Sequence, residues 1–127
     1  MINSKNYVDK AEAVINELRK PDERGKTQIL TTSQIRKQLA MTAELSTLAE
    51  KETNDTLNDE LQSRIEYLRV QFVYQAGREP QVKSFVEKAK ILEILKDING
   101  NREKFLVFCK YMEALVAYRK FYVKEDK

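Results

Sequence analysis

Histidine and tryptophan are absent from this chain of 127 residues, and cysteine occurs once, at Cys109. Without histidine there is no imidazole base, no Ser–His or Cys–His nucleophile pair and no imidazole-ligated metal. A lone cysteine makes neither an internal disulfide nor a thiolate zinc cage. The adjacent carboxylates Asp59-Glu60 and Glu125-Asp126 point about 100° apart on a helix, which suits a solvated surface better than a metal site. Carboxylates, lysines and tyrosines remain, so catalysis is disfavoured rather than excluded. No catalytic residue, metal ligand or cofactor is assigned. No signal-peptide pattern opens the chain at Met1-Ile2-Asn3-Ser4-Lys5. Its apolar runs fall far short of the ~20 residues that span a bilayer. A soluble, cytoplasmic protein that keeps off membranes is expected.

Glycine and proline are also scarce, at three and two residues. Three glycines build no phosphate-cradling loop, and neither GxxxxGK[ST] nor GxGxxG occurs. The five punctuators cluster: Pro21 with Gly25, Gly77 with Pro80, and Gly100 alone. With a polar gap at Thr53-Asn54-Asp55 they divide the chain into segments near 4–20, 32–50, 55–76, 81–99 and 101–123. Such lengths suit helices rather than strands. Apolar side chains recur at helical spacing in each: Ala11, Val14, Ile15, Leu18; then Ile35, Leu39, Thr42, Leu45, Ala49; then Leu57, Leu61, Ile65, Leu68, Phe72, Ala76; then Val82, Phe85, Val86, Ala89, Leu92, Leu95. The stretch from Tyr67 to Tyr74 alternates like a strand, but the stripe from Leu57 passes through it unbroken.

The last segment is apolar around most of its circumference, with a narrow polar stripe at Lys110, Glu113, Lys120 and Lys124. The pattern predicts an all-α fold, one domain of about five helices bundled around a central apolar C-terminal helix. Thr31 and Gln34 stand at capping-box spacing. Gly77 is expected to close the third helix in a left-handed conformation, Pro80 to start the fourth and Gly100 to end it. Cys109 is expected in the core.

Charge is distributed unevenly. Residues 1–60 carry 9 basic and 11 acidic side chains, a net −2; residues 61–127 carry 14 and 9, a net +5. Basic residues beside aromatics or helix ends include Arg69, Arg78, Lys83, Lys110, Arg119 and Lys120, with Arg36 and Lys37 early in the second segment. Such residues can neutralise phosphates of any sequence, giving salt-sensitive, sequence-blind nucleic-acid binding. A net charge of +3 equally suits a solvated helix surface. Tyr118 and Tyr122 are the tyrosines best placed to stack on bases. The run Thr31-Thr-Ser-Gln-Ile-Arg-Lys37 also looks like the start of a helix-turn-helix recognition helix, although the preceding helix would end too early.

Three strings resemble one family. They are Leu30-Thr-Thr-Ser-Gln-Ile-Arg36, Tyr67-Leu-Arg-Val-Gln-Phe-Val-Tyr-Gln-Ala-Gly-Arg78 and Phe108-Cys-Lys-Tyr-Met-Glu-Ala-Leu-Val-Ala-Tyr-Arg-Lys-Phe-Tyr122. In order and spacing they are similar to the small, all-helical subunit of the type III-A CRISPR–Cas effector, the Csm complex. The likeness spans roughly residues 30–122; residues 1–28 add little to it. It implies a non-catalytic, antiviral-defence role. Copies of the subunit would stack along the effector beside its backbone and large subunits, to which cleavage chemistry is assigned. Together they would hold the guide RNA–target RNA duplex, mainly by the target-strand backbone. The RNA-contacting residues are then expected to be Arg36, Lys37, Arg69, Arg78, Arg119 and Lys120. Arg36, Arg78 and Lys120 rest on the matching strings, the others on charge and placement. Two alternatives stay open. One is an assembly subunit that touches only proteins, through Tyr118 and Phe121. The other is a helix-turn-helix DNA-binding regulator.

Overall fold

The computed structural model describes residues 1–123 apart from Asp22, Lys26 and Gln28; Lys124 and the Glu125-Asp126 pair lie outside the described residues. Among the described residues six α-helices account for the architecture: α1 (Tyr7–Leu18), α2 (Arg36–Lys51), α3 (Asp59–Arg78), α4 (Pro80–Ala89), α5 (Ile91–Ile98) and α6 (Arg102–Tyr122). A 3-10 turn, Thr32–Ile35, leads into α2. Among the described residues there is no strand, only an isolated bridge between Thr56 and Asn101. It ties the α2–α3 connection to the α5–α6 connection through Leu57 N–H to the Gly100 carbonyl and Arg102 N–H to the Asp55 carbonyl, both 2.8 Å. The all-α expectation is met, and the strand-like alternation from Tyr67 to Tyr74 is helical.

Five helices were expected; a break inside the fourth segment makes a sixth. Residues 81–99 are divided at Lys90, which adopts a left-handed conformation with φ 57°. The reason lies in the spacing of the buried residues. Val82, Phe85, Val86 and Ala89 are buried on α4; Ile91, Ile94, Leu95 and Ile98 are buried on α5. Each member of the second set follows one of the first by nine positions. A continuous helix would turn the two sets about 180° apart. Breaking the helix lets both face one core.

The helix signals resolve in detail. Gln34 N–H donates to Thr31 Oγ1 at 3.3 Å while Thr31 N–H donates to Gln34 Oε1 at 2.9 Å, so the capping box forms, on the 3-10 turn. Asn58 and Asn101 cap α3 and α6 by accepting from Leu61 N–H and Lys104 N–H. Pro80 opens α4. Gly100 has φ 81°; a Cβ there would lie 2.9 Å from the Gln62 carboxamide, so both conformation and space call for glycine. Gly77 departs from expectation. It sits inside α3, which continues to Arg78, and Pro80 rather than Gly77 enforces the stop.

The buried apolar side chains form one cluster drawn from every helix. The helix α6 packs against α1, α2 and α5, while α3 packs against α2, α4 and α5. Phe105, Phe108, Tyr111, Met112 and Leu115 of α6 are buried. Cys109 is buried too, and burial pushes its thiol up to about 12. The wrapping is incomplete at the C-terminal end, where Phe121 is 77% exposed.

Candidate nucleic-acid interface

Two helices and one turn build a polar groove of about 550 Å³. One wall is the capped 3-10 turn and the start of α2; the other is the last two turns of α3. Glutamines at i, i+4 spacing lace the walls together. Gln75 Nε2 donates to the Gln34 carbonyl at 2.6 Å, and Gln38 Nε2 donates to the Gln71 carbonyl at 3.2 Å. Gln38 is buried, so its amide bond also meets the requirement that an interior polar group find a partner. Gln34 Nε2 in turn reaches Glu79 Oε2 at 3.2 Å, closing one end.

Three of the six expected basic residues meet on this groove: Arg36, Lys37 and Arg78. They come from segments about 40 residues apart in sequence, and all three are exposed. The Arg36 guanidinium donates to Ser33 Oγ at 3.1 Å. The Arg78 guanidinium lies 5.6 Å from the centre of the Tyr74 ring. Among the described residues, no carboxylate stands within ion-pair distance of these three cations. Their charge is therefore available to an anion from outside. Arg36 and Lys37 sit in the first turn of α2, directly after the capped 3-10 turn.

The other three lie elsewhere. Arg69 borders a different groove and pairs with Glu66 Oε2 at 2.8 Å. Lys120 is exposed near the end of α6. Arg119 is interior, 4% exposed, and its Nε donates to the Leu30 carbonyl at 2.7 Å. The aromatic expectation shifts as well. Tyr118 and Tyr122 are half-buried and stacked at 6.2 Å between centroids. The Arg19 guanidinium covers the Tyr122 ring at 4.5 Å, and the Tyr122 hydroxyl donates to Glu12 Oε2 at 2.6 Å. That bond to Glu12 holds the Tyr122 phenol above its ordinary pKa. Tyr122 thus serves the α1–α6 contact, and Tyr118 packs against the core. The exposed tyrosines are instead Tyr67 and Tyr74, on α3. Their signal was present in the sequence, since neither falls on the Leu57-to-Ala76 stripe. Gln34, Gln38, Gln71 and Gln75 carried only the faint signal of two i, i+4 pairs.

Elsewhere, a more apolar groove of about 360 Å³ runs between α2 and α6. Among the described residues, no three histidine, cysteine or acidic side chains gather as a metal site. No described helix is long and apolar enough to cross a membrane.

Comparison with known proteins agrees with the resemblance and extends it toward the N-terminus. Residues 4–125 match the family Csm2 Type III-A, so α1 falls inside the match. A CRISPR system Cms protein Csm2 of Streptococcus thermophilus is 51% identical over 127 residues, 99% of this chain and 98% of that protein. The protein of the same name in Mycobacterium tuberculosis (strain ATCC 25618 / H37Rv) is 50% identical over 98 residues, 77% of this chain and 79% of its own length. In Enterococcus italicus the figure is 39% over 113 residues, 83% of this chain and 80% of that one. With a family match over nearly its whole length and half its residues shared with one relative along almost all of both chains, the chain belongs to the Csm2 family of type III-A CRISPR systems.

Proposed function

We propose that this chain is a non-catalytic small subunit of a cytoplasmic type III-A effector acting in antiviral defence. Several copies would stack along the guide RNA–target RNA duplex, beside backbone and large subunits. The grip on RNA falls to Arg36, Lys37 and Arg78, with Lys120 as an additional contact from α6. The observation that carries this is the convergence of three exposed cations, distant in sequence, on one groove. When the guide strand supplies sequence specificity by pairing, the protein need recognise only backbone and shape. Phosphate contacts by arginine and lysine do that without reading bases. Arg69 and Arg119 are assigned away from the grip, the first because Glu66 holds it, the second because it is interior.

The assembly-only reading draws on Phe121, which is 77% exposed, but not on Tyr118, which is half-buried against the core. A helix-turn-helix needs its first helix laid across the recognition helix. Here α1 packs chiefly on α6 and α4, and it ends at Leu18, well before α2. Photocrosslinking of the assembled effector to 4-thiouridine-labelled target RNA separates the first two readings. Adducts mapping to α2 or the end of α3 are expected. Adducts confined to other subunits would overturn the RNA-gripping role.

A further inference from the structure

The basic groove has an aromatic member that backbone binding does not require. Tyr74 lines it together with Arg36, Lys37 and Arg78, and 58% of the residue is exposed. Leaving that much aromatic surface in water forgoes the stabilisation its burial would bring. Its neighbours do not cover it. The Arg78 guanidinium approaches one face at 5.6 Å from the ring centre, and no other ring contacts Tyr74 among the described residues. A π-face in a groove that three cations also line matches a nucleotide, whose flat base and anionic phosphate are covalently joined.

We propose that the groove binds one unpaired nucleotide of the RNA, with its base stacked on Tyr74 and its phosphates on Arg36, Lys37 and Arg78. This rests on the groove being the RNA-facing site. In a continuous duplex every base is paired and stacked within the helix, and an A-form groove offers a side chain little base face. Tyr74 can therefore engage only a base that has left the stack, at a bulge, a displaced position or a strand end. Two of the glutamines around it are committed to the protein's own backbone. The amides of Gln38 and Gln75 are already donated to the Gln71 and Gln34 carbonyls. Stacking without edge contacts tolerates any base, which fits a subunit that must serve unrelated guides.

The test uses the full chain and RNA carrying the fluorescent base 2-aminopurine, either unpaired in a single strand or opposite uracil in a perfect duplex. Binding is expected to quench the unpaired probe and leave the paired one unchanged. Tyr74→Leu should abolish the quenching and weaken single-strand affinity about 5- to 100-fold, while Tyr74→Trp retains both. The triple variant R36A/K37A/R78A reports on the groove itself. If the triple variant loses RNA and Tyr74→Leu behaves as wild type, the base platform is overturned and the backbone grip stands. The exposed strip of Tyr67, Val70 and Tyr74 is then a surface for protein. If the triple variant binds as wild type, the groove is not the RNA site and both readings fall.

Discussion

Arg119, near the end of α6, donates from Nε to the carbonyl oxygen of Leu30 at 2.7 Å across the interior of the bundle. Leu30 is itself buried and immediately precedes Thr31, whose side chain caps the turn that presents Arg36 and Lys37. A charge read in the sequence as a ligand for RNA thus holds the segment on which two other such charges ride. The contact spans 89 positions, so neither partner predicts the other.

Replacing Arg119 by Met keeps most of the volume and strands the Leu30 carbonyl in the interior. Loss of a charge-assisted hydrogen bond and an unsatisfied acceptor should together lower stability by about 2–3 kcal/mol. Urea unfolding followed by circular dichroism checks this. Arg119→Lys should recover only part of the loss, since an ammonium lacks the guanidinium's fixed fork. Stability equal to wild type in Arg119→Met would show that the Leu30 contact carries no weight.

Arg36→Ala and Arg78→Ala should each weaken RNA binding about equally for unrelated sequences. Each should also reduce the slope of log affinity against log salt by about one. Arg69→Ala, whose guanidinium is engaged by Glu66 away from the groove, should leave the slope unchanged. Filter-binding titrations across salt concentrations measure all three.

The alkaline limb of stability follows from Tyr111 and Cys109. The Tyr111 hydroxyl donates to the Ala89 carbonyl at 2.9 Å, and burial pushes its pKa up to about 12. An unfolded tyrosine ionises near 10. The folded state therefore keeps a proton that the unfolded state releases, and stability falls as pH rises from about 10 towards 12, by about 2–3 kcal/mol in full. Cys109, pushed up to about 12 by burial, adds a decline that starts lower, near the ordinary thiol range of about 8.5. Tyr111→Phe should begin less stable by about 1 kcal/mol and then lose less between pH 10 and 12. Unfolding free energies measured from pH 8 to 11.5 decide it; parallel curves for the two proteins would count against the burial of this phenol.

Lys90 occupies the left-handed conformation that ends α4 and begins α5. For a residue with a Cβ that conformation costs about 1 kcal/mol or more. Glycine relieves it while adding disorder to the unfolded chain. Lys90→Gly should net a gain of about 0.5 kcal/mol, a rise in Tm of about 2 °C. Lys90→Val should lose stability, because branching at Cβ makes positive φ worse. Thermal melts of the two variants test the sign of each.

Much of the fold was written locally. Helical periodicity, the Thr31–Gln34 capping box, Pro80 at the head of α4 and Gly100 behind α5 all act over a few residues, and each appears in the structure. The break at Lys90 was legible only in part. Ile91, Ile94 and Ile98 are out of phase with the preceding stripe, but nothing nearby announces a stop: the turn is made by a lysine rather than a glycine. At the candidate site, Arg36 and Arg78 could be picked out by charge and by resemblance. Their meeting could not, because it depends on how α2 packs on α3 and on glutamines that bond to backbone 33 and 41 positions away.

The amino-acid sequence alone made this chain helical, histidine-free and basic in its second half, since residue type and short-range spacing suffice for those properties. Which basic residue faces water and which is interior was decided by packing. Arg78 and Arg119 look alike in sequence, each near the end of a long helix, one four positions after Tyr74 and the other next to Tyr118. Only the course of Leu30 across the end of α6 separates them, giving one a groove to share with Arg36 and the other a carbonyl to hold.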